Sequence, residues 1–387
     1  MNSPGRDASH SPPWLMQPFR LFFLGAASFA SVGMFLWSLF LHLGWLPASG
    51  LPALYWHGHE MLFGFAGAIM AGFMLTAVGN WTGRSVTRPI TLTLLLAVWI
   101  LARLAFLYPG KLPDVLAESL DLLFFPLLAV YVGLPIIAMR NWRNLFLIPL
   151  LLIIALLDVL FFLSVHGDFP APPTRILYWV IDLLAMLMLV IGGRVIPFFT
   201  SRRLPQVQVR SWRWLDWSVN IGAVVVLLVD VLWPASSMLG MLSLVVALLA
   251  LARLGGWQPY RGLAEPMLWV LYLGYLWLIA GLALRGVALL SGSLAEITAL
   301  HAITTGALGS LGIGMMTRVT LGHTGRPLKA GYVMSVAFLL VNVAALLRIA
   351  ALGLLSTAAL LWALAFAIYL VRFLPVHLGP LRAASTT

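Results

Sequence analysis

The sequence predicts an all-α integral membrane protein with twelve transmembrane helices. Three observations carry this. Of 387 residues, 62% are hydrophobic and 9% charged, where a soluble domain has about a quarter charged. Apolar runs of the length that crosses a bilayer, about 20 residues, recur along the whole chain. The basic residues sit in short loops between those runs and alternate in density from loop to loop, as membrane topology requires. The formal charge of +11 therefore does not point to nucleic acid, because no basic block exists.

The spans are expected at 20–43, 56–80, 90–107, 116–138, 143–165, 174–200, 213–233, 236–254, 265–290, 295–319, 330–349 and 353–374. Their connections are short and carry Pro, Gly or Arg, as at Arg88-Pro89 and Gly167-Asp168-Phe169-Pro170. Residues 1–19 are polar, contain Pro and lack an apolar signal-peptide core, so they are expected to be a cytoplasmic tail. One membrane domain is expected over 20–374, followed by a second cytoplasmic tail over 375–387. With both termini inside, only Arg103, Lys111, Arg175, Arg285 and Arg348 of the 23 Lys and Arg fall on the outer side. The polar residues inside spans follow the opposite pattern. His42, His57, His59, Glu60, Glu118, Asp121, Asp158, Asp182, Asp230, Glu296 and His301 all fall in the outer half, and the inner half of the helices is nearly bare of acid.

Span 10 repeats span 2. With His301 set on His59, the shared pattern is His-x4-Gly-x2-Gly-x4-Gly-x-Met-x7-Thr-Gly-Arg. It places Gly306 on Gly64, Gly309 on Gly67, Gly314 on Gly72, Met316 on Met74 and Arg326 on Arg84. Span 6 is a weaker third copy, opening with Asp182 and closing with Thr200-Ser201-Arg202. Copies four spans apart imply three pseudo-symmetric arcs of four helices, with helices 56–80, 174–200 and 295–319 toward the centre.

The chemistry follows from the polar residues. There is no cysteine, which excludes disulfides, thiolate ligands, iron–sulfur clusters and Cys-attached haem. A metal must use His, Met or carboxylate. Ionisable groups inside a bilayer are functional candidates by default. Two histidines at matching depth, His59 and His301, suit axial ligation of one haem iron, and Gly64, Ala66, Gly67, Ala68, Ala71 and Gly72 offer a flat wall. Close helix packing explains those small residues equally well. His57, two residues from His59, points to nearly the opposite side of a helix. It and His42 are candidates for a second metal, with copper compatible with the nearby Met61, Met70 and Met74. Glu60, Asp121, Asp158 and Asp182 are candidates for proton handling or for a carboxylate near a metal. The alternative for these acids is pairing with Arg103, Arg175, Arg285 and Arg348. Arg285 and Arg348 are equally candidates for haem propionates. His323 is either a second haem ligand or a cap on a helix C-terminus.

The stretch His57-Gly58-His59-Glu60-Met61-Leu62-Phe63-Gly64-Phe65 through Trp81-Thr82-Gly83-Arg84 resembles the leading signature of the NnrS family. His301-Ala302-Ile303-Thr304-Thr305-Gly306 with Met316 through Arg326-Pro327 resembles its second, and Gly192 through Thr200 fits a third. The resemblance runs from about Arg20 to Leu374. It implies a bacterial inner-membrane protein with haem of the b type, one or two groups, and copper, made in response to nitric oxide and protecting against nitrosative stress. It implies nitric oxide and the lipid bilayer as partners, with a quinol or cytochrome as electron donor. The arrangement is also similar to the catalytic subunits of haem–copper oxidases and nitric oxide reductases, but span 6 lacks a histidine and span 10 has only His301. The expected function is binding and reduction of nitric oxide. The alternative is a proton-coupled or metal transporter without haem, which the bare inner half disfavours.

Overall fold

The computed structural model of the chain describes residues 15, 17–46, 50–83, 89–107, 114–350 and 352–380. Arg6, Arg84, Arg88, Lys111 and Arg382 of the charge pattern lie outside the described residues, as does most of both tails. Twelve helices among the described residues are long and apolar enough to cross a membrane. They are α1 (Pro18–Leu43), α2 (Ala53–Thr82), α3 (Pro89–Leu107), α4 (Asp114–Ala138), α5 (Trp142–His166), α6 (Pro173–Arg203), α7 (Arg213–Leu232), α8 (Ser237–Gly256), α9 (Pro266–Ser291), α10 (Glu296–His323), α11 (Gly331–Ala350) and α12 (Leu355–Leu378). The protein is all-α and multi-pass.

Each expected span is present, and the helices run a few residues past most of the expected ends. At the end of α12 a buried group satisfies the last carbonyls, which a helix leaves without partners. That group is Arg20 of α1, which is fully buried. Its Nη1 donates to the carbonyls of His377 (2.8 Å) and Gly379 (2.6 Å). The helix therefore continues through Pro375 into what hydropathy alone assigns to the tail. Arg20 and Arg253, both expected at the ends of spans, are buried. Arg253 pairs with Asp216 at 2.7 Å and donates to the Leu189 carbonyl at 3.1 Å.

Burial identifies the centre. In α2 and α6, 72% of the most apolar window is buried, and in α9 and α10 61%, against 33–50% in the other eight. The helices α2, α6 and α10 touch one another. They are the three whose sequences repeat.

The repeat has a backbone counterpart. Helix α2 switches to π-helix over Glu60–Ala66 and α10 over Ala302–Leu308. With His301 laid on His59, these two segments coincide residue for residue. Each begins directly after the histidine and ends before an aligned glycine, Gly67 or Gly309. A π-segment disturbs the normal carbonyl pairing and persists where the surroundings compensate. In each copy an indole N–H compensates a π-segment carbonyl, at positions one residue apart in the aligned register. The Trp99 indole of α3 donates to the Gly64 carbonyl at 3.0 Å, and the Trp362 indole of α12 donates to the Thr305 carbonyl at 3.2 Å. Helix α6 is α-helical throughout, so the third copy lacks this feature.

The aligned glycines serve helix packing. A methyl on Gly67 would meet the Phe125 ring at 3.0 Å, and one on Gly309 the Trp362 indole at 2.7 Å. A methyl on Gly72 would meet Phe23 at 2.7 Å. These faces are filled by side chains of neighbouring helices, so they do not form the open wall considered for a macrocycle.

Candidate functional site

His57 and His59 lie one turn inside α2 and look in different directions, as their spacing requires. His57 stacks flat on Trp37 of α1, with ring centroids 4.1 Å apart and planes 7° from parallel. It faces a cavity of about 430 Å³ walled by α1, α2, α6, α10, α11 and α12. His301 faces the same cavity from α10, and Arg348 from α11. His301 Nδ1 donates to the Ile297 carbonyl at 2.8 Å. That fixes the tautomer and leaves the Nε2 lone pair available, and Arg348 Nη2 lies 3.1 Å from it. The remaining walls are mainly apolar, with Trp37, Met61, Phe65 and Trp362 among them. The volume is in the range of cofactor and ligand sites, roughly 300–1,000 Å³. Two imidazoles, a guanidinium and apolar walls are the donor set that a haem with ionised propionates needs, so the residues fit that group.

The pair that faces this cavity is His57 with His301. The structure does not bring His59 to His301. Symmetry of sequence aligns the two residues, but their neighbours differ. Around His301 the nearest charged side chain is Arg348. Around His59 there are three acids, and they hold its ring on the far side of α2, toward α3, α4 and α5.

His59 is fully buried, with Nδ1 3.1 Å from Glu60 Oε1 and Nε2 3.0 Å from both Asp121 Oδ2 and Asp158 Oδ1. Arg103 of α3 pairs with Glu60 Oε1 at 3.2 Å and with Asp121 Oδ1. The ring sits among Phe63, Phe106, Phe161 and Phe162. This is a buried polar cluster inside an aromatic shell. His59, Asp121 and Asp158 are the one group of three or more His, Asp or Glu among the described residues whose ligand atoms converge tightly enough for a metal.

A second cluster joins α6, α7, α9 and α10. Arg285 is fully buried and donates to both Asp182 oxygens at 2.7 and 2.9 Å and, through Nε, to Glu296 at 2.8 Å. Its Nη2 lies 3.0 Å from Asp230 Oδ1, which Arg175 also reaches at 3.1 Å. Arg285 is thus committed to three carboxylates, and pairing rather than propionate binding accounts for it. Of the outer-side arginines weighed as partners, Arg103, Arg175 and Arg285 pair with acids, and Arg348 lies on His301.

The other candidates separate. His42 is exposed at the end of α1 and belongs to no converging ligand group. His323 is half-buried at the other end of the bundle, its ring 5.7 Å from Phe19. Met70 and Met74 line a second, apolar cavity of about 120 Å³, together with Met188, Met315 and Met316 from α6 and α10. Met61 lines the larger one, and Leu308 belongs to the walls of both. Sequence reasoning missed Trp37, which aims His57, and His377. The latter is fully buried, with Nε2 3.1 Å from the Tyr369 hydroxyl and 3.3 Å from Thr320. His377 was hidden by its position past Pro375. Trp37 carries no signal beyond being one tryptophan among 16.

Twelve helices able to span a membrane, with His57, His59, His301 and two buried ion clusters gathered at one end, define a polytopic membrane protein with a candidate intramembrane site. The family model described as NnrS protein matches residues 13–380. The chain belongs to the NnrS family, whose membership suggests a role in the nitric oxide response. No curated protein matches it.

Proposed function

We propose that this protein is a haem-containing bacterial inner-membrane protein that binds nitric oxide and reduces it, protecting against nitrosative stress. One observation carries the reading. Two histidines on different helices, His57 and His301, face one mainly apolar cavity that also presents a single guanidinium. Haem of the b type bound there would supply an iron able to bind nitric oxide and exchange electrons with a quinol or cytochrome. His57 and His301 would hold it. Trp37 fixes the plane of the His57 ring, and the Nδ1 bond to Ile297 keeps the His301 Nε2 free to ligate. Arg348 would exchange its contact with His301 for a propionate. Nitric oxide is small and neutral, so the methionine-lined cavity that shares Leu308 suits its passage. In the same reading the helices form three arcs of four, the termini are cytoplasmic and the histidine end faces outward, as the distribution of Lys and Arg supports. The transporter reading is weakened by the ion pairs, because Asp182 and Asp121 are held by Arg285 and Arg103.

The test is optical. Protein made with ample haem should show reduced-minus-oxidised haem bands that shift when nitric oxide is added. His57→Ala and His301→Ala should each abolish or alter the bands, and His59→Ala should leave them. Colourless wild-type protein would overturn the proposal. Loss of the bands in His59→Ala with retention in His57→Ala would move the haem elsewhere.

A further inference from the structure

The cluster around His59 poses a problem of protons. Its two ring nitrogens face three carboxylates, with Glu60 on Nδ1 and both Asp121 and Asp158 on Nε2, each within 3.0–3.1 Å. All four side chains are at least nine-tenths buried, from 0 to 4% exposed. A neutral imidazole carries one N–H. If Glu60 accepts it through Nδ1, the Nε2 lone pair is aimed at two carboxylate oxygens. If Asp158 accepts it through Nε2, the Nδ1 lone pair is aimed at Glu60. In either arrangement Asp121 Oδ2, buried and directed at Nε2, receives no hydrogen bond. The charges do not balance either. Glu60, Asp121 and Asp158 stand against Arg103 alone, so a neutral His59 leaves two negative charges uncompensated inside a shell of phenylalanines.

A protonated His59 would donate from both nitrogens and still leave one negative charge over, with two carboxylates sharing the one Nε2 proton. One divalent cation resolves both the hydrogen bonding and the charge. We propose that His59 Nε2, Asp121 Oδ2 and Asp158 Oδ1 bind a single divalent first-row metal ion, with Glu60 as a positioning residue that accepts the Nδ1 proton. The three ligand atoms lie within 4.8 Å of one another. A histidine whose second nitrogen is held by a carboxylate is a recurrent device for fixing a metal-bound imidazole. Arg103 performs the same service for Asp121 through its other oxygen. One imidazole with two carboxylates suits zinc, ferrous iron or manganese, and it lacks the soft sulfur ligands that Cu(I) prefers. None of these residues lines the cavity of His57 and His301, so the site is separate from the proposed haem site and stands without it.

The experiment uses the full-length protein in detergent, freed of metal with a chelator and titrated with Co²⁺ alone. The expected result is one equivalent of bound cobalt with visible d–d bands, displaced by Zn²⁺. His59→Gln, Asp121→Asn and Asp158→Asn should each abolish the bands, and Glu60→Gln should weaken binding roughly 10–100-fold. The His57→Gln/His301→Gln double variant should keep them. Circular dichroism and gel filtration establish that each variant is folded, and the near-isosteric Asp158→Asn and Glu60→Gln carry the test if His59→Gln fails to assemble. Folded wild type that binds no cobalt would overturn the proposal. So would cobalt bands that survive Asp158→Asn, or that vanish only in the double variant. An infrared carboxylic-acid band in metal-free and metal-exposed protein alike, lost in Asp158→Asn, would replace the metal with two protons.

Discussion

Two buried ion clusters sit at the histidine end of the bundle, and they share a plan. Each has one buried arginine and three carboxylates, of which Arg285 reaches all three and Arg103 reaches Glu60 and Asp121. Each is anchored on a central helix, α2 or α6. They differ in the fifth member. The Arg285 cluster adds Arg175, a second permanent cation that reaches Asp230. The Arg103 cluster adds His59, which is a cation only when protonated. Guanidinium groups are never deprotonated in proteins and cannot ligate a metal. In the Arg285 cluster two permanent cations offset all but one of three carboxylates, and one carboxylate oxygen, on Asp230, lacks a hydrogen bond. The Arg103 cluster has one variable member, and it retains two carboxylate oxygens without hydrogen bonds, on Glu60 and Asp121. A polar cluster in a membrane becomes a candidate for chemistry when its charge balance is left open.

The largest effect expected from this contrast lies at Arg285. Replacement by Met keeps the volume and strands Asp182, Asp230 and Glu296 in the membrane interior. Removing one partner of a buried pair costs about 3–5 kcal/mol, and here three partners are left. Arg285→Met should yield little folded protein in a detergent-solubilised gel-filtration profile. An undiminished yield and melting temperature would show the cluster to be dispensable and would break the comparison.

A matched pair of variants gives a smaller effect that differs between the clusters. Asp230→Asn removes the carboxylate that Arg175 and Arg285 share. It should lower stability by about 1–3 kcal/mol, the cost of leaving buried donors poorly satisfied. Asp158→Asn, in metal-free protein, removes one of the excess negative charges around His59 and leaves an amide able to bond the ring. It should change stability by less than about 1 kcal/mol. Thermal unfolding of the two variants side by side decides the matter. Equal destabilisation would mean that both clusters are structural to the same degree.

Much of this was legible in the chain, and the limits have physical causes. The spans were visible because bilayer thickness fixes their length. The repeat was visible because the histidines and glycines keep one spacing. Pairing of Asp121 and Asp182 with outer-side arginines was visible as one of two alternatives, since few cations were available there. Which histidine faces which was not visible. The repeat selects His59 as the counterpart of His301, but the counterpart of His57 is Ala299, a buried residue of α10. The cavity takes one histidine from each copy at positions two residues out of register. What directs His59 away from the cavity is three acids on α2, α4 and α5, and their convergence is a fact of tertiary packing. The π-segments were equally invisible, because no residue type marks them.

Those π-segments supply the finest test, since they compare the two copies of the repeat instead of the two clusters they lead into. The Gly64 carbonyl on α2 and the Thr305 carbonyl on α10 each accept one indole N–H, from Trp99 and Trp362. If the indoles stabilise the π-geometry, Trp99→Phe and Trp362→Phe should each cost about 1 kcal/mol in hydrogen bonding, beyond any loss of ring area. The costs should be similar, because each indole bonds one carbonyl of a π-segment, at positions one residue apart in the aligned register. The consequences should differ. Trp99 holds the π-segment that follows His59, and loosening α2 there should weaken cobalt binding before it alters the haem spectrum. Trp362 lines the cavity of His57 and His301, so its loss should alter the haem bands and leave cobalt binding intact. Measuring both readouts on both variants separates the sites through one shared structural device. If both variants disturbed both readouts alike, the two sites would be coupled through α2 and α10 and would have to be treated as a single centre.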